Sequence, residues 1–186
     1  IDKTAIEYGD PITIAGTFTI KDKSPVANTQ VRIEVKSPSE EDWRVLTTAV
    51  TGADGTFTKP ILISKSMALR ISSDATWERS ESTSPEVVIS VARTLSLSAP
   101  ATVKAATPLA ITGAIRPRNA GVYVTLNKLV NGQWQPVGTP VTTDAQGNFV
   151  FTTSENLRKV ATYKISVAAD SNWALLESPS FSVIIR

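Results

Sequence analysis

The sequence predicts an all-β chain made of two copies of one Greek-key β-sandwich. Two observations carry this prediction: apolar and polar side chains alternate along most segments, and one ordered set of sequence blocks occurs twice. Alternation with a period of two is typical of strands with one buried face. Short strands separated by turn signals are typical of a sandwich, and a closed barrel is the alternative architecture.

The alternation is clearest where Ile12, Ile14, Gly16, Phe18 and Ile20 are separated by Thr and Ala. These five positions are predicted to face the interior of the first copy. Turn signals rich in Gly, Asn, Asp and Pro separate this run from the next ones, at residues 23–25, 53–55, 131–132 and 146–147. No segment has a helical period, although residues 60–66 and 153–160 allow a single helical turn.

Six sequence blocks recur in the same order, with offsets of 91 to 97 residues. They align Pro11–Gly16 with Pro108–Gly113, Val31–Val35 with Val122–Leu126, Trp43 with Trp134, Gly55–Phe57 with Gly147–Phe149, Asp74–Trp77 with Asp170–Trp173, and Ser84-Pro85 with Ser178-Pro179. The runs Met67–Ile71 and Tyr163–Val167 also alternate. The offset changes only across loop-like stretches, where insertions are tolerated. We therefore predict two domains, residues 1–93 and 94–186.

The junction between the copies has no Gly/Ser-rich or Pro-rich linker. We expect an end-to-end arrangement with restricted bending. Leu95 and Leu97 open the second copy, but the first copy has no counterpart for them, because Ile1 aligns with Ser98. The opening strand of the first copy is therefore expected to be truncated, with more chain upstream.

Composition limits the chemistry that is available. The 186 residues include no Cys and no His, which removes disulfides, thiol nucleophiles, thiolate metal sites and imidazole bases. No nucleophile motif or phosphate-binding loop occurs. No apolar run is long enough to span a membrane, and the chain begins with Ile1 without a signal peptide, as a mature segment or excised fragment would. We expect no enzyme activity, no cofactor and no metal.

The repeated blocks carry a family resemblance. Each copy is similar to the bacterial immunoglobulin-like repeat domains of large secreted and cell-surface proteins. The residues that carry the resemblance are the Ile-Ala-Gly16 and Ile-Thr-Gly113 strands, the hairpins from Trp43 to Phe57 and from Trp134 to Phe149, and the Asp-x-x-Trp segments that end at Trp77 and Trp173. The second copy departs from the pattern at Leu175-Leu176-Glu177, where the first has Arg79 and Ser80. The resemblance implies roles as stalks, adhesin segments, accessory modules of enzymes or decorations of phage virions.

Trp43 and Trp134 are the candidate ligand contacts, because indole faces stack on sugars. Since all four Trp residues recur in matched positions, shared packing in the core or in loops is the favoured interpretation for them. Asp54, Asp74, Asp144 and Asp170 fit turns better than a calcium site, which needs about six to eight oxygen ligands. No Lys, Asn/Asp and Glu trio for an isopeptide bond is identified, because the lysines lie in polar or edge-like stretches.

Basic residues accumulate in the second copy, whose net charge is +4 against −2 for residues 1–93. The set consists of Arg116, Arg118, Lys128, Arg158, Lys159 and Lys164. It is interpreted as solvated surface charge rather than as a polyanion site, and no nucleic-acid-binding module is recognised.

The predicted function is a non-catalytic spacer or stalk within a larger extracellular, secreted or cell-surface protein. The alternatives are an adhesion or carbohydrate-binding module acting through end loops, with a cell-wall glycan or a host or surface protein as partner, and accessory domains of a secreted enzyme. Neither nucleic-acid binding nor membrane insertion is expected, and the fragment is predicted to be a monomer.

Overall fold

The computed structural model describes the whole chain, Ile1–Arg186, and all of its regular elements are β-strands. It contains no helix long and apolar enough to cross a membrane. The chain divides into two compact units, one formed by Ile1–Ala92 with Ser171–Trp173 and the other by Arg93–Asp170 with Ala174–Arg186.

The first unit has eight strands: β1 (Ala5–Glu7), β2 (Pro11–Thr17), β3 (Gln30–Lys36), β4 (Arg44–Val50), β5 (Thr56–Leu62), β6 (Met67–Ser73), β7 (Ser82–Thr83) and β8 (Val87–Ala92). The larger sheet has the order β1-β8-β6-β3-β4, with β7 paired to β6, and the smaller sheet is β2 with β5. β1 runs parallel to β8, whereas the other pairs are antiparallel. The chain leaves β2 for the other sheet and returns in β5, which is Greek-key connectivity.

The second unit has ten strands: β9 (Thr94–Ser98), β10 (Thr102–Val103), β11 (Leu109–Arg116), β12 (Tyr123–Val130), β13 (Gln133–Pro136), β14 (Val141–Thr142), β15 (Asn148–Thr153), β16 (Lys159–Val167), β17 (Leu176–Glu177) and β18 (Phe181–Ile185). Its larger sheet has the order β10-β18-β16-β12-β13, with β14 on β12 and β17 on β16, and its smaller sheet is β15-β11-β9. The predicted fold class is confirmed, because the chain is all-β and forms two immunoglobulin-like Greek-key β-sandwiches.

Each core takes alternate side chains from both sheets. In the first unit Ile12 of β2, Ile33 of β3 and Ile89 of β8 have no exposed surface, and burying such a side chain stabilises the fold by about 1.5–3 kcal/mol. The prediction is wrong for Ile20, which is 45% exposed, because β2 ends at Thr17 and the alternation continues beyond the strand. The single helical turns are absent, since residues 60–62 belong to β5 and residues 154–158 form a loop.

A glycine beneath a phenylalanine explains two of the repeated blocks. A Cβ atom on Gly16 would lie 2.8 Å from Cε1 of Phe57, and one on Gly113 would lie 2.5 Å from Cζ of Phe149. Real Cβ atoms do not approach other heavy atoms that closely, so the aromatic ring of β5 or β15 can pack across the neighbouring strand only where that strand carries glycine. Packing therefore requires the Gly and the Phe together in each copy.

In the Ser-Pro block, the serine hydroxyl forms hydrogen bonds that join the block to the neighbouring strand, an arrangement that we call the hydroxyl clamp. The backbone amides of Ile71 and Ile165 donate to the Oγ atoms of Ser84 and Ser178, each at 2.9 Å. Both hydroxyls in turn donate to the carbonyl oxygen of the following proline, at 2.9 and 2.8 Å. The block recurs because it satisfies a backbone amide that the main ladder does not pair.

A threonine clamp marks the start of β3 and of β12. Thr51 Oγ1 accepts from the amide of Thr29 at 3.0 Å and donates to the carbonyl of Val26 at 2.7 Å. Thr143 Oγ1 accepts from the amide of Val122 at 3.1 Å and donates to a carbonyl at 2.6 Å. This device was not recognised in the sequence.

The two clamps define how the copies align, and they show that the predicted alignment of Val31–Val35 with Val122–Leu126 is wrong by two residues. Thr29 corresponds to Val122 and Ile71 to Ile165, so β3 matches β12 at an offset of 93 and β6 matches β16 at an offset of 94. The predicted offset for β3 and β12 was 91. A shift of two residues keeps every side chain on the same face of a strand, and alternation alone therefore cannot detect it.

Candidate functional site

A polar cluster stands in the core of the second unit where the first unit has only aliphatic side chains. The offsets of 93 and 94 match Val35 and Leu69 with Lys128 and Tyr163, and the 92-residue offset of the Gly–Phe block matches Ile63 with Glu155. Tyr163 is fully buried, and the side chains of Glu155 and Lys128 are 9% and 19% exposed. The second sandwich thus carries an ionic network at a position that is apolar in the first.

Glu155 lies at the centre of this network. Its Oε1 accepts from the hydroxyl of Tyr163 at 2.8 Å and from the ammonium of Lys128. Its Oε2 lies 3.0 Å from Nζ of Lys159. All three of these partners donate to the carboxylate, as a buried anion requires.

The contacts within the cluster keep Glu155 ionised, Tyr163 neutral and Lys159 protonated at neutral pH. Burial by itself would raise the pKa of Glu155, but the hydrogen bonds from Lys128, Lys159 and Tyr163 lower that pKa to about 2. Burial, followed by the hydrogen bond to Glu155, raises the pKa of Tyr163, and the hydrogen bond to Glu155 raises the pKa of Lys159. A carboxylate with so low a pKa is a poor proton acceptor at neutral pH, so the arrangement suits anchoring rather than acid–base catalysis.

The cluster corrects two sequence interpretations. Lys128 does not lie in a polar or edge-like stretch, because it continues the inward series of Val124 and Leu126 on β12. Lys128 and Lys159 are ion-paired with Glu155, and Lys164 with Glu177 at 2.6 Å, so these three are not simply solvated charges. The signal that could have found the site was a lysine at an inward position of an alternating strand.

Trp43 and Trp134 occupy equivalent positions and have equivalent neighbours. Cζ of Arg70 lies 4.3 Å from the ring centroid of Trp43, and Nζ of Lys164 lies 5.0 Å from that of Trp134. Arg70 and Lys164 correspond to each other on β6 and β16, and cation–π attraction favours this stacking. Trp134 is 37% exposed and Trp43 is half-buried. Trp134 lies within β13, and Trp43 is the last loop residue before β4, so both lie at the edge strand of the larger sheet.

The other matched pair does not share its packing, and that prediction is wrong. Trp77 is 92% exposed, whereas Trp173 is 8% exposed. Trp173 belongs to the core cluster of the first unit, with its ring centroid 5.9 Å from that of Tyr8. Identical Asp-x-x-Trp spacing therefore places the two indoles in different environments.

Two of the four aspartates are turn formers, as predicted. Asp54 accepts from the amide of Thr56 at 3.0 Å, and Asp144 accepts from the amide of Asn148 at 2.8 Å. Asp74 pairs with Arg32 at 2.5 Å, and Asp170 pairs with Arg93 at 3.1 Å. Nowhere in the chain do three Asp or Glu side chains converge in a set that could hold a metal ion.

A groove of about 450 Å³ opens beside β2 in the first unit. Its apolar lining comes from both sheets and includes Ile14, Phe18, Phe57, Leu69, Ile71 and Val87. Ile1 and Ser73 lie at the same groove, and the Oγ of Ser73 is buried without a hydrogen-bond partner. This groove was not foreseen as a site, although the missing counterpart of Leu95 and Leu97 pointed to it.

No protein-family model and no curated protein matches the chain. Among solved structures, the chain is similar to the D0-D1 domain of intimin, at 15% identity over 98% of this chain and 95% of that one, with a TM-score of 0.39. It is also similar to invasin, a bacterial integrin-binding protein, at 18% identity over 95% of this chain and 36% of that one, with a TM-score of 0.43. A transglutaminase of red sea bream is 9% identical over 95% of this chain and 29% of its own, with a TM-score of 0.46. At these levels of similarity, the fold assignment rests on the strand pairing of the chain itself.

Proposed function

We propose that the chain is a non-catalytic spacer segment of a larger extracellular or cell-surface protein, with domains at residues 1–93 and 94–186. The observation that carries the proposal is the connection between the domains. β8 ends at Ala92 and β9 begins at Thr94, so a single residue separates the two strands. The side chain of that residue, Arg93, is buried and paired with Asp170.

A one-residue connection suits a spacer for a physical reason. Each residue contributes two soft backbone dihedrals, and burial of the side chain restricts those of Arg93 further. A Gly/Ser-rich linker would instead behave as a flexible coil. The blocks common to both copies support the same role, because the Gly–Phe pairs and the hydroxyl clamps all hold strands together.

Rotational diffusion tests the spacer proposal. Backbone ¹⁵N relaxation of the whole chain is compared with that of a variant carrying eight Gly/Ser residues between Arg93 and Thr94. We expect the amides of both units in the native chain to share one tumbling time and the two units of the variant to tumble faster and separately. Independent tumbling of the units in the native chain would rule out a stiff spacer.

The second candidate function is glycan binding through Trp43 and Trp134. The observation that favours it is the partial exposure of both indoles at the edge of the larger sheet, each beside a cation from the strand two positions away in that sheet. A glycan array with the native chain and the Trp43→Ala/Trp134→Ala variant tests this function. Trp77→Ala is the matched control, because Trp77 is 92% exposed but lies in a loop. Binding that is lost only in the double variant supports the glycan function, and binding by none of the proteins contradicts it.

A further inference from the structure

The first unit has an unpaired sheet edge at a place where the second unit has a strand. β2 pairs with β5 alone, whereas β11 pairs with both β15 and β9. In the second unit Leu97 of β9 lies opposite Gly113 and Leu95 lies opposite Ile115. Both leucines pack against the core of that unit. The 97-residue offset makes Gly16 and Phe18 the corresponding positions in the first unit.

Backbone groups along this edge point into the groove. The amide of Phe18 donates to the carbonyl of Gly55 at 2.9 Å, so the even-numbered residues of β2 direct their backbone groups toward β5. Successive residues of an antiparallel strand direct these groups to opposite sides. Ala15 and Thr17 therefore present theirs to the groove, and the equivalent residues of β11, Thr112 and Ala114, lie opposite β9.

The first residues of the chain already make one pair of hydrogen bonds with the open edge of β2. The amide of Asp2 donates to the carbonyl of Thr13 at 3.2 Å, and the amide of Thr13 donates to Oδ1 of Asp2 at 2.8 Å. Ile1 lines the groove next to this pair. A strand that leads directly into Ile1 would continue in line along Ala15 and Thr17, antiparallel to β2.

We propose that this groove is the docking site of one extended strand with the chemistry of β9, joined in line to Ile1. The strand carries leucine-like side chains at two alternate positions, which enter the apolar groove opposite Gly16 and Phe18. Its backbone pairs with Ala15 and Thr17, and its polar groups lie within the groove that holds the unpartnered hydroxyl of Ser73. The physical basis is strand addition at an open edge, in which main-chain hydrogen bonds supply affinity and alternate side chains supply specificity.

The test compares three versions of the whole chain. The first begins at Ile1, the second carries Thr-Leu-Ser-Leu-Ser before Ile1, which places the leucines opposite Gly16 and Phe18 in the register of the Asp2–Thr13 pair, and the third carries Thr-Ser-Ser-Ser-Ser there as a length-matched control. We expect the Leu extension to slow hydrogen exchange of the Ala15 and Thr17 amides by about tenfold or more, because strand pairing removes them from water. The Ser extension should leave exchange close to that of the unextended chain. Equal protection by the two extensions would overturn the proposal.

Gly16→Ala gives a second test. If the Leu extension contacted the groove only non-specifically, this substitution would leave the extra protection of the Ala15 and Thr17 amides unchanged. A Cβ on Gly113 would lie 2.7 Å from the carbonyl oxygen of Ser96 in β9, whereas a Cβ on Gly16 meets only the ring of Phe57. Gly16→Ala should therefore remove most of the extra protection in the Leu-extended chain. Protection that survives Gly16→Ala unchanged would contradict docking against β2.

A free peptide, Thr-Leu-Ser-Leu-Ser, distinguishes an in-line strand from one supplied by another molecule. Because a covalently joined strand acts at a high effective concentration, the free peptide at equimolar concentration should not protect Ala15 or Thr17 in the unextended chain. Full protection by the peptide under these conditions would overturn the assignment to an in-line strand.

Discussion

Replacing Glu155 by Gln removes the charge of the second core while keeping its shape and an acceptor for the Tyr163 hydroxyl. The pKa of Glu155 lies at about 2 in the folded chain against its ordinary 4.5. One unit of pKa difference corresponds to about 1.4 kcal/mol, so the interactions of the ionised carboxylate stabilise the second unit by about 3 kcal/mol at pH 7. Breaking a buried ion pair from one side has a similar cost, about 3–5 kcal/mol, because the partner charge stays behind.

The pH dependence of this loss has a definite sign. A carboxyl whose pKa is lowered by folding contributes its full stabilisation above the unfolded pKa, here 4.5, and loses it as the pH falls toward about 2. The difference in the free energy of unfolding between native chain and Glu155→Gln should therefore be constant from pH 5 to 8. It should shrink between pH 4.5 and 2 and approach zero below pH 2.

The assay is urea denaturation followed by NMR signals of amides in β12 and β16, which report the second unit alone. Glu177→Gln is the matched control: Glu177 pairs with Lys164 at 2.6 Å, but its side chain is 46% exposed, and exposed pairs contribute about 0–1 kcal/mol. A loss below about 1 kcal/mol for Glu155→Gln at pH 7 would refute the reasoning, since it would equal that of an exposed pair. A loss that persists undiminished at pH 2 would show that shape rather than charge is responsible.

The repeated blocks carry two further predictions, both measured by urea denaturation with unit-specific NMR probes. Gly113→Ala should destabilise the second unit by about 3 kcal/mol or more, whereas Gly16→Ala should destabilise the first unit by about 1–2 kcal/mol. The difference is expected because overpacking is costlier where a backbone atom opposes the new methyl group. Equal losses of stability would contradict this account. Ser178→Ala should cost about 1–3 kcal/mol, because the amide of Ile165 loses its buried acceptor. The exposed Ser182→Ala should cost under about 0.5 kcal/mol, and a comparable cost at Ser178 would mean that the clamp is not needed.

Local features of the chain were predictable because they depend on near neighbours. The alternation around Ile12 and Ile14 placed them in the core, since strand geometry sends every second side chain to the same face. The turns at Asp54 and Asp144 followed from the tendency of aspartate to accept nearby amides. Ile20 was misplaced because alternation does not show where a strand ends.

The candidate sites were less predictable. Trp43 and Trp134 were identified because indole faces stack on sugars, but the cations stacked on them come from a strand two positions away in the sheet. Lys128 and Glu155 are 27 residues apart, and Tyr163 is eight residues beyond Glu155. Which of these side chains meet depends on the pairing of β12 with β16, which the alternation does not specify.

By itself, then, the sequence determined the repeat, the position of the main strands and most of the aliphatic side chains that face inward, because these follow from periodicity and from steric limits on Gly and Phe. Only the tertiary structure showed which residues of β3 and β6 correspond to those of β12 and β16, that an ionic network is buried in one sandwich alone, and that the edge of β2 opens into an apolar groove. The physical reason is common to all three. A two-residue shift preserves every face of a strand, so only strand pairing across the sheets determines which charge meets which partner and which edge is left open.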